Sequence, residues 1–302
     1  MKKILVTGGT GMVGKHLQEI LPAATYIGSN IDLRDWITVE ALFNKIKPTH
    51  VVHLAGRVGG IQENIEKPAE FFDDNLLMNM HILKASQLHD VKKFTGILST
   101  CAYPDNGSGG ATYPMKEEDL FLGPPSPTNF SYGYAKRCLA VQIDAYNSQY
   151  GTDYNYLIPC NLYSELDNFH SEKKMHFVTA LIKKITDSEN VLNLLGTGKP
   201  LRQFMYAGDL ARVIKEVVEK NIIESFNVAP DYNYSIDQMA NMALNTLNID
   251  REITYSKPEL DGQYRKDVSS KKLQKLLDNF EFTTFESGIK KVYSTIKNIN
   301  NN

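Results

Sequence analysis

Five residues in three short segments have the types and spacing for proton chemistry: Ser99 and Cys101, Tyr132 and Lys136, and His176. Tyr132 and Lys136 are four apart, so on a helix they share one face. A tyrosine hydroxyl ordinarily ionises at about pH 10. A lysine beside it favours the phenolate and so makes the hydroxyl a better proton donor to a carbonyl oxygen; the same ammonium can hold a ribose. Ser99 closes the apolar run that starts at Phe94. A hydroxyl at the C-terminal end of a parallel strand lies where ligands bind and can bond the same carbonyl. Tyr134 is only two residues from Lys136 and is expected to pack.

Cys101 follows Ser99 by two residues, where the strand ends. A thiol has an ordinary pKa of about 8.5 and becomes a base near neutral pH when a cation is close. His176 could return a proton from the opposite side. A thiol and an imidazole on two faces of a sugar ring suit epimerisation beside a ketone, whose carbonyl acidifies the neighbouring C–H. Plainer roles stay open on spacing alone. A strand-end cysteine can be a small buried residue, His176 a surface or helix-start residue, and His170 competes with it.

The elements that must hold these groups follow from periodicity. Ile4–Val6, Thr25–Ile27, Val51–Ala55, Phe94–Leu98 and Tyr154–Ile158 read as short, mostly apolar strands separated by helical patterns. Helices are expected after the first strand, around Val39 to Ile46, over Ala69–His89 and over Tyr132–Tyr150. Alternation of this kind predicts an α/β fold, a Rossmann-type doubly wound parallel sheet covered on both faces. Residues 104–128 are rich in Gly and Pro and predict a long irregular segment, which inside a compact domain is usually functional. Beyond Pro159 the pattern loosens. Short elements are expected at Phe177–Ile185, Val191–Leu195, Asp209–Val218, Phe226–Val228, Ile236–Leu247, Ile253–Tyr255 and about Phe285–Ile296. Residues 1–160 are therefore expected to form the dinucleotide domain, with later segments returning to its sheet. Residues 161–302 form a smaller C-terminal α/β substrate region.

Gly8, Gly11 and Gly14 lie between the first strand and the first helix. Such glycines let backbone approach a pyrophosphate at a helix N-terminus. Gly28-Ser-Asn30 follows the second strand without the acid that NAD sites usually place there. That favours NADP, although no Arg or Lys sits at the turn; Arg34 is the nearest cation, and Asp32 could instead meet the adenine.

The 302 residues carry a net charge of −2, which gives no support for a nucleic-acid or membrane-surface role. No apolar run reaches the roughly 20 residues of a membrane span. Ile4–Val6 is too short for a signal sequence. Cys101, Cys138 and Cys160 fit neither a disulfide framework nor a metal site, so a cytoplasmic chain with free thiols is expected.

With these residues in hand, the chain resembles the GDP-L-fucose synthases, which are extended short-chain dehydrogenases/reductases. The matching pieces run nearly end to end: the Ile4–Val6 strand and the Gly8–Gly14 turn, Val58-Gly-Gly60, Ser99-Thr-Cys-Ala-Tyr-Pro104, Gly123-Pro-Pro125 and Asn129-Phe-Ser-Tyr-Gly-Tyr-Ala-Lys136. They continue through Asn161-Leu-Tyr163, Asp167-Asn-Phe-His170, the segment Gly196 to Phe204, Asp209, and Asp261-Gly262 with Lys266. The resemblance implies a homodimeric enzyme that epimerises C3 and C5 of GDP-4-keto-6-deoxy-D-mannose and then reduces C4 with NADPH. Cys101 would be the base, His176 the acid and Tyr132 the proton donor in reduction, with Lys136 and Ser99 assisting. It places NADP against Gly8, Gly11, Met12, Val13, Gly14, Asp32, Leu54, Ala55, Lys136, Pro159, Asn161, Leu162 and His176. It places the GDP-sugar against Val58, Gly59, Gly60, Lys184, Arg202 and Lys266. The two-fold contact would use Phe71, Phe72, Leu76, Leu77 and Met80 with the Tyr132–Tyr150 helix, residues that could equally be core.

The chain also departs from the family's pattern. Ser164-Glu165 stands where Gly-Pro commonly follows Asn-Leu-Tyr, the loop from Asp167 to His176 is one residue longer, and Thr179 replaces a proline. The loop from Lys257 to Asp261 is longer as well. The first three changes flank His176, so a C4 reductase without epimerisation, acting on a related GDP-4-keto-6-deoxy-hexose or heptose, is the competing reading. An isomerase of the UDP-galactose 4-epimerase type usually has a hydroxyl or small residue where Cys101 stands. A cofactor-binding regulator would often lack the tyrosine, and Tyr132 and Lys136 are intact.

Overall fold

The computed structural model describes residues 2–169, 175–187 and 190–300. The first half alternates strand and helix: β1 (Ile4–Thr7), α1 (Met12–Ile20), β2 (Thr25–Ile27), α2 (Trp36–Ile46), β3 (His50–His53), α3 (Ile61–Glu66), α4 (Pro68–Leu88), β4 (Lys93–Ile97), α5 (Phe130–Tyr150) and β5 (Asn155–Pro159). The second half runs β6 (Asn161–Tyr163), α6 (Phe177–Asp187), β7 (Val191–Leu195), β8 (Leu201–Arg202), β9 (Phe204–Tyr206), α7 (Ala207–Lys220), β10 (Phe226–Val228) and β11 (Tyr234–Ser235). It ends with α8 (Ile236–Leu247), β12 (Glu252–Ser256), β13 (Arg265–Lys266), α9 (Lys271–Leu276) and α10 (Phe285–Asn300).

Six parallel strands form the main sheet in the order β10-β5-β4-β3-β1-β2. Every residue of β1, β3 and β4 is buried, as parallel strands covered on both faces require. β2 lies on one side of β1 and β3 on the other, so the strand order reverses there. The carboxyl ends at that reversal open the crevice in which doubly wound sheets take ligands. This is the Rossmann-like architecture that the alternation predicts.

The chain crosses between two cores. α7 packs on α1, and β10 adds a sixth strand beside β5, so residues far along the sequence complete the first core. The second core gathers Val178, Leu181 and Ile182 of α6, Leu192 and Leu194 of β7, Met239 of α8, and Ile289 and Val292 of α10. Its strands are short: β7 with β12, β6 with β9, and β8 between β11 and β13.

Sequence periodicity misses the shortest pieces. β6 and β9 have three residues each and β8 and β13 two, too few to display a period. α3 begins at the glycines of Val58-Gly-Gly60 and spans six residues. Residues 104–128 form 3-10 turns and no α-helix or ladder strand; one bridge joins Met115 to Val268. Prolines at 104, 114, 124, 125 and 127 remove the N–H groups that regular structure would use.

Candidate active site

The cofactor cradle is set by backbone. Gly8 has φ +70°, and a Cβ there would lie 2.7 Å from the Ala55 nitrogen. At Gly14 a Cβ would lie 2.5 Å from the Gly9 carbonyl oxygen. Gly11 caps α1 with no side-chain hydrogen bond. The first-turn N–H groups at Met12, Val13 and Gly14 are thus left for a ligand, with the positive end of the helix dipole behind them. Leu54 and Ala55 follow β3, with Ala55 N donating to Thr7 Oγ1 at 3.3 Å. Pro159 ends β5, and Asn161 and Leu162 start β6, whose Asn161 amide donates to the Gln203 carbonyl at 2.9 Å. These residues fit a dinucleotide. Arg34 grips both carboxylate oxygens of Asp32 at 2.9 Å and reaches Asp74 at 2.9 Å, which holds the Asp32 carboxyl down at about 2.

Ser99, Tyr132 and Lys136 meet beyond β4. Ser99 ends the extended segment, and its hydroxyl accepts from the Cys101 N–H at 3.2 Å. Tyr132 is buried on α5, edge-on to Phe71 with ring centroids 6.3 Å apart. The Lys136 ammonium donates to the Ile97 carbonyl at 2.8 Å and lies 5.8 Å from the Tyr132 ring centre. Lysine does not acidify the tyrosine here. Burial pushes the Tyr132 hydroxyl up, the Cys101 charge adds to it, and the Ser99 hydrogen bond only partly offsets both. Burial also pulls Lys136 down to about 8. Tyr134 packs against Phe130 and under Arg137, as its spacing predicts.

The Lys266 ammonium donates to the Cys101 sulfur at 2.8 Å, bridging 165 residues of sequence. Burial alone would raise the thiol, but Lys266, by charge and hydrogen bond, together with Ser99 and Asn129, brings it below its ordinary value. Lys266 was expected only against substrate; nothing in its local sequence announces this contact. Asn129, from the turn before α5, reaches the Cys101 carbonyl at 3.4 Å.

Arg202 is mostly buried. Its guanidinium donates to the carbonyls of Leu201 at 2.8 Å and Asp261 at 3.2 Å. The Asp261 carboxylate accepts from Thr197 N and Oγ1, both at 2.6 Å, and so fixes the glycine turn before β8. Lys184 is exposed on α6 and donates to the Asn193 carbonyl at 3.1 Å. Val58 is exposed. The Gly59 and Gly60 carbonyls accept from the Asn64 amide at 3.1 and 2.9 Å, and Arg57 is anchored to Asp74 at 2.8 Å.

His176 stands just before α6. Its Nδ1 lies 3.1 Å from Asp167 Oδ1, and its backbone N–H donates to Asp167 Oδ2 at 3.0 Å. A carboxylate only accepts, so Nδ1 carries a proton; an imidazolium carries a second on Nε2, the one the ring can give up. The orienting role of Asp167 was not read from the sequence, although a carboxylate in the matched Asp-Asn-Phe segment was its one signal. His170, the competitor for the acid role, lies outside the described residues. The structure thus brings Ser99, Cys101, Tyr132, Lys136 and Lys266 together through direct contacts. His176 is held separately, by Asp167.

Residues 4–229 match the NAD dependent epimerase/dehydratase family. A probable GDP-L-fucose synthase of Drosophila melanogaster is 35% identical over 312 aligned residues, covering 96% of this chain and 95% of that protein. A GDP-L-fucose synthetase of Naegleria fowleri, solved bound to NADP, is 33% identical with a TM-score of 0.88, covering 99% of this chain and 94% of the other. A GDP-mannoheptose C4 reductase of Campylobacter jejuni, solved with NADP bound, is 26% identical with a TM-score of 0.86, covering 98% of both chains.

Proposed function

The chain belongs to the NAD dependent epimerase/dehydratase family, among the relatives of the GDP-L-fucose synthases, and from that premise we propose that it converts GDP-4-keto-6-deoxy-D-mannose to GDP-L-fucose. It is an NADP-dependent oxidoreductase/epimerase. The finer reading is epimerisation at C3 and C5 followed by reduction at C4. The observation that carries it is the Cys101–Lys266 pair beside the Ser99–Tyr132–Lys136 cluster. A reductase needs the cluster; it has no use for an ionised thiol.

In this reading Cys101 removes the proton next to the C4 ketone, and the electron pair moves to the C4 oxygen. His176 returns a proton to the opposite face from Nε2, with Asp167 holding its ring. Tyr132, kept protonated by its dry surroundings, then donates to the C4 oxygen, and Ser99 orients that oxygen. When bound, NADPH supplies the hydride. Gly8 to Gly14 would hold its pyrophosphate and Lys136 its nicotinamide ribose. Arg202, Lys266 and Lys184 would meet the GDP portion, with Val58 to Gly60 over the sugar.

The test is one reaction in D₂O with NADPH, followed by nicotinamide absorbance and NMR. Cofactor oxidation with deuterium at C3 and C5 is expected, and Cys101→Ala should abolish the deuterium while leaving NADPH binding intact. Oxidation without deuterium would leave a C4 reductase, the second reading, which rests on the likeness to the GDP-mannoheptose C4 reductase.

We also propose a homodimer through α4 and α5. Leu77 and Met80 on α4 and Phe130 and Val141 on α5 are exposed, and a cleft of about 480 Å³ lies between Val141 and Phe121–Pro124. Phe71 does not belong to this face: it is fully buried between Tyr132 and Arg57. Light scattering should give twice the chain mass; a monomer at micromolar concentration would refute the contact.

A further inference from the structure

We infer that Lys266 switches the base: in the empty site its ammonium holds Cys101 as a thiolate, and the diphosphate of an incoming GDP-sugar takes that ammonium over. The inference rests on the GDP-sugar reading and adds a positioning residue and an order of events to it.

Three observations carry it. The first is the 2.8 Å contact between Lys266 Nζ and Cys101 Sγ, with the lysine buried. The second is register. β13 runs parallel to β8 with Lys266 opposite Arg202, so both cations project from the same face of neighbouring strands. A diphosphate held by Arg202 therefore lies within reach of Lys266. The third is the charge surrounding the thiol. Lys266 faces it from β13, Arg202 from β8, and Lys136 and Tyr132 from α5, with Ser99 and Asn129 as hydrogen-bonding neighbours. The thiolate is the anion that balances these cations before substrate arrives.

A diphosphate carries more charge and better acceptor oxygens than a thiolate, so it outcompetes sulfur for the ammonium. Cys101 is then a buried anion without its counter-ion, which raises its basicity. The thiol has lost its proton before the sugar binds and takes its next one from the carbon beside the ketone. A C–H bond breaks, an S–H bond forms, and the electron pair passes to the C4 oxygen.

The test needs no turnover. Alkylation of Cys101 by iodoacetamide is followed against pH by mass spectrometry, with Cys138 and Cys160 as internal controls. The midpoint of the curve is read, because shielding by a ligand scales the rate without moving the midpoint. The wild-type midpoint is expected below the ordinary thiol value. Lys266→Gln should raise it and slow the reaction at pH 7, and Lys266→Arg should restore it. Saturating GDP should raise the wild-type midpoint by more than it raises that of Lys266→Gln. Equal midpoints in wild type and Lys266→Gln would overturn the pairing. GDP binding is measured separately by calorimetry on the wild-type protein, which no folding defect affects. Heat of binding with an unmoved midpoint refutes the handover alone; no heat refutes the GDP-sugar reading along with it.

Discussion

Replacing Lys136 with methionine should abolish reduction and yet make the empty protein more stable at neutral pH. Burial moves the Lys136 ammonium from its ordinary 10.5 to about 8. A shift of roughly 2.5 units corresponds to about 3 kcal/mol against the folded state wherever the lysine is charged. Methionine removes that penalty and fills the same space. It also leaves the Ile97 carbonyl without its 2.8 Å donor, a loss of about 1–3 kcal/mol for a buried acceptor. The net gain at pH 7 is about 1 kcal/mol. The sign of its pH dependence is sharper than its size. The folded value lies below the unfolded one, so between pH 8 and 10.5 the unfolded chain binds the extra proton and wild-type stability rises with pH. Below pH 8 that contribution is absent. The variant lacks this rise, and its advantage should shrink by about 2 kcal/mol between pH 7 and 9.5. Urea unfolding at the two pH values, read by the fluorescence of Trp36, the single tryptophan, reports the core to which Leu139, Ala140 and Ile143 of the Lys136 helix contribute. A variant whose difference from wild type stays constant across that range would refute the reasoning, because Lys136 would then not be an ammonium held in a dry site.

Tyr132→Phe should slow NADPH consumption by roughly 10²-fold or more, the scale of a positioned general acid; near-normal consumption would move the proton donor elsewhere. Arg202→Ala should mainly raise the KM for the GDP-sugar, and an unchanged KM would make the arginine only the clasp between Leu201 and Asp261. Asp167→Asn should slow deuterium incorporation at C3 and C5 by about tenfold, in the range found for removing an orienting partner. Incorporation at the wild-type rate would mean that another group is the acid.

The legible part of this molecule is the part that backbone decides. Gly8, Gly11 and Gly14 could be read because a close approach to Ala55 and a bare helix start admit nothing larger. β1, β3, β4 and β5 could be read because strands largely buried on both faces are written mostly in apolar residues, whereas β2 is an edge strand. Tyr132 and Lys136 could be read because helical spacing fixes their shared face. What could not be read are convergences across long stretches of chain. Lys266 reaches Cys101 from a two-residue strand whose register depends on β8, which in turn depends on the turn that Asp261 fixes. The fall in acidity of Tyr132 was also hidden, because it comes from how completely Phe71 and the surrounding elements exclude water. Spacing supplies the lysine; only packing decides whether its charge or the missing solvent prevails.

Ser164 and Glu165, two of the residues that depart from the family's pattern, are firmly tied, which supports the proposed acid at His176. Ser164 is fully buried, and its hydroxyl meets His16 Nε2 at 2.7 Å and accepts from Leu166 N at 3.0 Å. Glu165 accepts from the Tyr206 hydroxyl, and the Tyr206 ring packs edge-on against His16 with centroids 5.1 Å apart. Two polar residues replacing Gly-Pro would be destabilising if left unpaired in such a place. Each instead finds a partner on a different element, His16 on α1 and Tyr206 on β9. Asp167 follows two residues later and bonds both the ring and the backbone of His176. The substitution therefore replaces a stiff turn by a hydrogen-bonded one that joins α1 to the second core. This tie between His176 and its neighbours supports the proposed two-step reaction.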